Sequence, residues 1–340
     1  MKKKCKVLFG VMLGLFILIF GVSCCVIGIA DCDIEKNYFN GEVNPYIAEG
    51  TAMVSAHRAG SILAPENTLN AFKLGIAEAE NGEYTVDIWE FDLHITKDNK
   101  LILLHDHTLD RTSNSAEVFG VKDARPEDYT LAELMTLNMG YNFESNGEYP
   151  FRSLTEEEIS AQGLRMCTLD EVLDYMEGEE ASVAVPAEYG EFRYIIEIKN
   201  SGKLGEKAAD ILYATLKERG LLEDVVFGTF NQNVTDYVDE QYPDMLRSSS
   251  ICEVLDFWFA YLTGADLSKR GVGYCALQIP YSKTIPFLGN EGLIEYAHKY
   301  NIAVQFWTIN ESDDVEHLQS VGADCIMSDD PDMCYDTLKG

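Results

Sequence analysis

Five short stretches put acids, histidines and cations at the ends of otherwise apolar runs: Ser55-Ala56-His57-Arg58, Glu90-Phe91-Asp92, His105-Asp106, Glu197-Ile198-Lys199 and Trp307-Thr308. Together they offer three carboxylates (Glu90, Asp92, Glu197), two histidines (His57, His105) and two cations (Arg58, Lys199). Carboxylates are hard ligands that suit Mg²⁺ or Ca²⁺ better than zinc. Imidazoles exchange protons near neutral pH, and Arg and Lys hold the oxygens of an anion. Each residue also fits a plainer role. His57 fits a hydrogen-bonded core position, Glu197 and Lys199 a structural ion pair, and Glu90 and Asp92 a solvated strand face. Against that last reading, Trp89, Phe91 and Leu93 occupy the other face of the same strand, and a barrel strand buries both faces. His94, His107, His298 and His317 read as structural or surface residues.

The elements that must position these groups alternate. Apolar, β-rich runs at 52–56, 87–95, 101–104, 194–198, 225–230, 276–279, 302–308 and 325–327 read as strands, with a weaker one near 247–251. Helical spacing fills 67–80, 130–137, 168–176, 205–219, 233–241, 290–300 and 311–320. Asn67 and Thr168 are candidate N-caps, and Gly220 and Gly322 sit where helices should stop. Repeated β/α units over residues 51–340, with no Pro/Gly/Ser-rich linker, predict one α/β domain, a TIM-type (β/α)8 barrel. A doubly wound sheet is the alternative, but no glycine-rich turn follows the first strand. The less regular stretch 142–190 reads as a loop insertion. Lys97-Asp98-Asn99-Lys100 reads as a hairpin turn that makes 101–107 antiparallel to 87–96 and sets Asp92 opposite His105. Because C-terminal strand ends build the active site of such barrels, the five polar stretches converge on one mouth.

The ends of the chain carry other signals. Lys2, Lys3, Lys4 and Lys6 precede an uncharged run from Val7 to Ala30, long enough to cross the roughly 30 Å hydrocarbon core. Residues 1–30 therefore predict a transmembrane helix. Its lysines stay in the cytoplasm, and residues 31–50 tether a catalytic domain outside the cell membrane. Gly21-Val22-Ser23-Cys24 offers the alternative of a lipoprotein anchored at Cys24, although the usual aliphatic residue three places earlier is missing. Beyond residue 30 there are 22 basic and 57 acidic side chains, a balance of −35, which excludes nucleic acid as a partner held by a basic surface. The nine cysteines show neither zinc spacing nor a disulfide framework; most read as buried small hydrophobes, and a disulfide such as Cys325 with Cys334 stays open for an external domain.

Several blocks resemble the glycerophosphodiester phosphodiesterase family. They are His57 to Thr68 (HRAGSILAPENT), Glu90-Phe91-Asp92, Leu103 to Asn114 (LLHDHTLDRTSN), Glu197-Ile198-Lys199, Trp307 to Asn310, and Gly322-Ala323-Asp324 leading to Ser328-Asp329. They follow the family's order over nearly all of the body. The resemblance implies a metal-dependent hydrolase on a β/α barrel that cleaves glycerophosphodiesters to glycerol 3-phosphate and an alcohol. It makes Glu90, Asp92 and Glu197 the ligands of one Mg²⁺ or Ca²⁺, and His57 and His105 the acid/base pair, with His57 favoured as base. Arg58 and Lys199 would bind phosphate oxygens, and Trp307 would pack beside the glycerol. The family has Gly directly after His-Arg, whereas Ala59 stands here and Gly60 follows, which implies a small local change of backbone. A phospholipase C or D on a related barrel and a catalytically inactive surface binding module are the rival readings.

Overall fold

The computed structural model describes residue 39 and residues 41–185, 191–269 and 272–339. Seven parallel strands run in the order β5-β4-β2-β1-β8-β7-β6: β1 (Met53–Ala56), β2 (Ile88–Ile95), β4 (Arg193–Ile198), β5 (Val225–Gly228), β6 (Ala276–Pro280), β7 (Ala303–Trp307) and β8 (Cys325–Ser328). The gap between β5 and β6 is closed by single parallel bridges, Phe227 to Arg247 and Ser248 to Ala276. The weak run near 247–251 is thus the eighth position of a (β/α)8 barrel, reduced to two residues. β3 (Leu101–Leu103) pairs antiparallel with β2 outside this ring.

A helix follows each barrel position: Leu69–Asn81, Leu169–Met176, Gly202–Arg219, Gln232–Gln241, Ile251–Thr263, Glu291–His298, Ser312–Ser320 and Pro331–Lys339. Thr168 caps its helix in a reciprocal capping box with Glu171, as its type suggests. The first helix is capped by Thr68 instead of Asn67, because the Asn67 side chain is committed to Asp92. Ile251–Thr263 carries no clear 3.6-residue period in the sequence, because Phe257-Trp258-Phe259 and its neighbours make it apolar on several faces. Gly75 lets the first helix lie on β2; a Cβ there would meet the Trp89 ring at 2.5 Å.

Strand alternation sorts the interior into layers. The lowest holds Met53, Ile88, Ile195, Val226, Ala276, Ala303 and Cys325, one from each named barrel strand, in a single apolar cluster. Tyr46, fully buried, closes it from below, and Asn44 donates to the Cys275 carbonyl at 2.7 Å. Within the stretch read as a tether, Asn44 to Ile47 therefore plug the N-terminal end of the barrel. Outward-facing Val54, Phe91, Ile196 and Phe306 pack against the helices.

Two further expectations need correction, and one pairing left open is settled. The β2–β3 register pairs Leu93 with Leu103 and Ile95 with Leu101, which sets Asp92 opposite Leu104, one residue short of His105. The reason is the turn. Thr96 and Lys100 still pair, and Asn99 takes φ +61°, so the loop has three residues instead of four. The excursion from the barrel also begins earlier than 142. It starts at β3 and carries its own small core of Ile102, Leu104, Leu109, Leu134, Leu137 and Met166, and Leu169–Met176 already belongs to the barrel. Cys325 and Cys334 are both free thiols. Among the described residues no helix is long and apolar enough to cross a membrane. The run Val7 to Ala30 and Cys24 lie outside the described residues.

Candidate active site

Two and four residues above the apolar floor, the same inward positions turn polar. β2 brings Glu90 and then Asp92, and β4 brings Glu197 and then Lys199. One oxygen from each of Glu90, Asp92 and Glu197 lies within 4.8 Å of the others. Glu90 and Asp92 are buried, at 3% and 1% exposure, so water cannot screen their mutual repulsion. Burial and then the Asp92 charge push the Glu90 carboxyl up to about 8. Burial also works against the Asp92 charge, but Lys199, His105 and Arg58 outweigh it and hold that carboxyl low. Lys199 Nζ bridges Asp92 at 2.9 Å and Glu197 at 2.8 Å. Three crowded carboxylates, two of them buried, fit a hard divalent cation.

The two histidines are held the same way from different segments, the turn after β1 and the loop after β3. His57 Nδ1 lies 2.6 Å from Asp329 Oδ1, at the end of β8. Ser61 Oγ donates to the same oxygen at 2.6 Å, and Asn310 Nδ2 to the other at 2.7 Å. His105 Nδ1 lies 2.8 Å from Asp106 Oδ1. In both rings the carboxylate engages Nδ1, which directs Nε2 toward chemistry. Burial opposes a proton on His57, yet Glu90 and the Asp329 hydrogen bond outweigh it and its pKa is raised. On His105 burial prevails over Asp92 and Asp106, and its pKa is lowered.

Arg58 sits between these groups. Its backbone N–H donates to Glu90 Oε2 at 2.7 Å, and its Nη1 donates to Glu66 at 3.1 Å. Glu66 in turn accepts both Nη1 and Nη2 of Arg111 at 2.7 Å, and Arg111 Nε donates to Asp106 at 2.6 Å. A chain of paired charges therefore joins Arg58 to His105. This turn demands left-handed backbone at Arg58 (φ +52°), Ala59 (φ +63°) and Gly60 (φ +92°). Ala59 adopts the conformation a glycine takes freely, so the departure at this position leaves the site assembled at the cost of local strain.

All eight residues singled out at the strand ends lie at this end of the barrel. His105 reaches it through the loop after β3, since the hairpin register alone does not place it there. Trp307, at the end of β7, packs edge-on to Phe230 with ring centroids 5.8 Å apart. Sequence reasoning assigned no role to Asp329, Asp106, Glu66, Arg111 or Phe230. Asp329 was within reach of the strand-end rule, since it directly follows the apolar run of β8. Glu66 and Arg111 lie in loops, where no periodicity marks them.

Carboxylates for a cation and cations for an anion, with two oriented imidazoles at the same mouth, are the equipment of a barrel hydrolase acting on phosphate esters. Residues 57–333 match the model of the glycerophosphoryl diester phosphodiesterase family. A glycerophosphodiester phosphodiesterase of Caldanaerobacter subterraneus subsp. tengcongensis is 27% identical over 290 residues, which is 84% of this chain and 98% of that one. One from Bacillus subtilis is 26% identical over 294 residues, 84% and 86% of the two chains. Among solved structures, a putative glycerophosphoryl diester phosphodiesterase of Silicibacter pomeroyi superposes with a TM-score of 0.63 at 20% identity, covering 86% of this chain and 94% of that one. An Oleispira antarctica phosphodiesterase, solved with the product sn-glycerol-3-phosphate, gives 0.57 at 20% identity over 85% and 98%. The chain belongs to the glycerophosphoryl diester phosphodiesterase family, and it is an enzyme of that class.

Proposed function

We propose that the protein hydrolyses glycerophosphodiesters to glycerol 3-phosphate and an alcohol, with one divalent cation, Mg²⁺ or Ca²⁺, held by Glu90, Asp92 and Glu197. The observation that carries this reading is the crowding of three carboxylate oxygens within 4.8 Å beside His57 and His105, each tied at Nδ1 to a carboxylate. The glycerol 3-phosphate bound to the Oleispira relative agrees with the product.

When bound, the cation neutralises charge that builds on the phosphoryl oxygens. Arg58 and Lys199 add positive charge for the phosphate, which a body of −35 would otherwise repel. His57, whose proton affinity Glu90 and Asp329 raise, takes the proton of the attacking hydroxyl at Nε2. His105, acting from its imidazolium form with Nδ1 held 2.8 Å from the Asp106 carboxylate, supplies a proton to the departing alkoxide. Trp307 lies against the glycerol. Lys2 to Lys6 and the run Val7 to Ala30 support a single-pass cell-membrane anchor with the barrel outside; acylation at Cys24 is the other means of attachment.

The test is a panel of glycerophosphocholine, glycerophosphoethanolamine and glycerophosphoglycerol assayed for glycerol 3-phosphate release with Mg²⁺, Ca²⁺ or chelator. Release that needs either ion supports the reading. Equal release in chelator removes the cation from it.

A further inference from the structure

We infer that Asn310 is a positioning residue of the reaction: with Ser61 it fixes the Asp329 carboxylate and, through it, the His57 imidazole; the inference rests on the hydrolase reading above. Three side chains meet that carboxylate. Oδ1 faces His57 Nδ1 and accepts from Ser61 Oγ, both at 2.6 Å, and Oδ2 accepts from Asn310 Nδ2 at 2.7 Å. Asn310 also holds the backbone beneath the carboxylate. Its Oδ1 accepts from the Asp329 N–H at 3.0 Å and from Ser328 Oγ at 3.2 Å. On the other side, the Ile62 N–H donates to the Asp329 carbonyl at 3.0 Å. Asp329 is therefore gripped by the turn after β1 and by the loop after β7.

Strand register brings Asp329 beside His57 but leaves the carboxylate free to turn. Rotation about a Cβ–Cγ bond to a carboxylate has only a broad preference, and a turning partner cannot orient an imidazole. Ser61 tethers the near oxygen and Asn310 the far one, which stops the rotation. Burial opposes the Asp329 charge, yet His57, Ser61 and Asn310 outweigh it and hold that carboxyl low. Asn310 is itself exposed, so water takes its place at Oδ2 when the side chain is removed. Water satisfies the charge without fixing its angle, and the loss falls on kcat more than on stability. Among the described residues, the side-chain hydrogen bonds of Asn310 go to Ser328 and Asp329 and to none of Glu90, Asp92 and Glu197.

The test compares the full-length parent with Asn310→Ala, Asn310→Asp, Asp329→Asn and the Asn310→Ala/Asp329→Asn double variant on glycerophosphocholine. A nitrophenyl diester, whose leaving group needs no acid, is assayed beside it. Asn310→Asp keeps an acceptor for the Asp329 N–H and Ser328 Oγ and removes the donor to Oδ2. Both Asn310 variants should lose about 10- to 100-fold in kcat, with KM, Mg²⁺ affinity and thermal midpoint close to the parent's. The loss should persist on the nitrophenyl diester, because His57 serves the attacking hydroxyl. Added to Asp329→Asn, Asn310→Ala should cost less than about twofold more, since it acts through that carboxylate. Four results each overturn the inference while the hydrolase reading stands: a kcat within about twofold of the parent in Asn310→Ala, full additivity with Asp329→Asn, recovery on the nitrophenyl diester, or a collapsed thermal midpoint in both Asn310 variants. A parent that releases no glycerol 3-phosphate with Mg²⁺ or Ca²⁺ overturns both.

Discussion

The Nδ1 of His57 and the Oδ1 of Asp329 lie 2.6 Å apart across 272 residues of sequence, and closure of the barrel between β8 and β1 is what brings them together. Four pairs, from Met53 with Cys325 to Ala56 with Ser328, set the register, so the next residue on each strand, His57 and Asp329, must meet. The carboxylate fixes the ring's tautomer and orientation. Asp329→Asn should therefore lower kcat by about 10²–10⁴ with little change in KM or in thermal midpoint. Steady-state kinetics with a melting curve checks this. A kcat within twofold of the parent would remove Asp329 from the proton path.

Arg111 joins Glu66 to Asp106 by paired hydrogen bonds, and through them Arg58 to His105. Arg111→Ala should cost roughly tenfold in kcat/KM, since both the anion clamp and the second imidazole lose a fixed partner. Arg111→Lys should not restore it, because an ammonium cannot make the two bidentate pairs that the guanidinium makes to Glu66 and Asp106. Full recovery by lysine would reduce the network to bulk charge.

Glu90→Gln, Asp92→Asn and Glu197→Gln should each weaken Mg²⁺ or Ca²⁺ binding at least tenfold, as read by calorimetry on the folded variants. Asp92→Asn has a second effect to separate, because Asp92 also accepts from Asn67 at 2.9 Å and holds Lys199. Undiminished affinity in Glu197→Gln would take that residue out of the ligand set.

Arg247 tests the weakest seam of the fold. It stands where a two-residue segment replaces a strand, is 2% exposed, and is held by Asp239 and Glu253 through four hydrogen bonds of 2.7 to 2.8 Å. Arg247→Met removes these four hydrogen bonds and should cost about 3 kcal/mol in urea denaturation. A loss below the error of the measurement would mean that the bridges to β5 and β6 need no such clamp.

Much of this was legible in the sequence, for physical reasons that can be named. Alternation along β2 put Glu90 and Asp92 on one face and Trp89 and Phe91 on the other, and both faces are buried as a barrel strand requires. Turn geometry was less legible: Asn99 in the left-handed region shifts the hairpin register by one, and only the loop after Leu104 returns His105 to the site. Asn67 looks like a helix cap because Asn is a good cap, yet the pull of Asp92 is a tertiary effect that local sequence does not carry. The plug formed by Asn44 and Tyr46 reads as linker because its partners, Cys275, Asn301 and Glu223, lie more than 170 residues away. Polar loop residues such as Glu66 and Arg111 have no period at all.

The central claim is that two oriented histidines move the protons of a cation-assisted phosphodiester hydrolysis. Its most direct measurement is glycerol 3-phosphate release from glycerophosphocholine by the parent, His57→Ala, His105→Ala and the double variant, at saturating Mg²⁺ or Ca²⁺, beside a nitrophenyl diester that needs no acid. Each single variant should lose about 10²–10⁴ in kcat on the natural diester, and the double variant should be little worse than either. His105→Ala should recover on the nitrophenyl diester and His57→Ala should not. Near-parental turnover of glycerophosphocholine by either single variant would contradict the account.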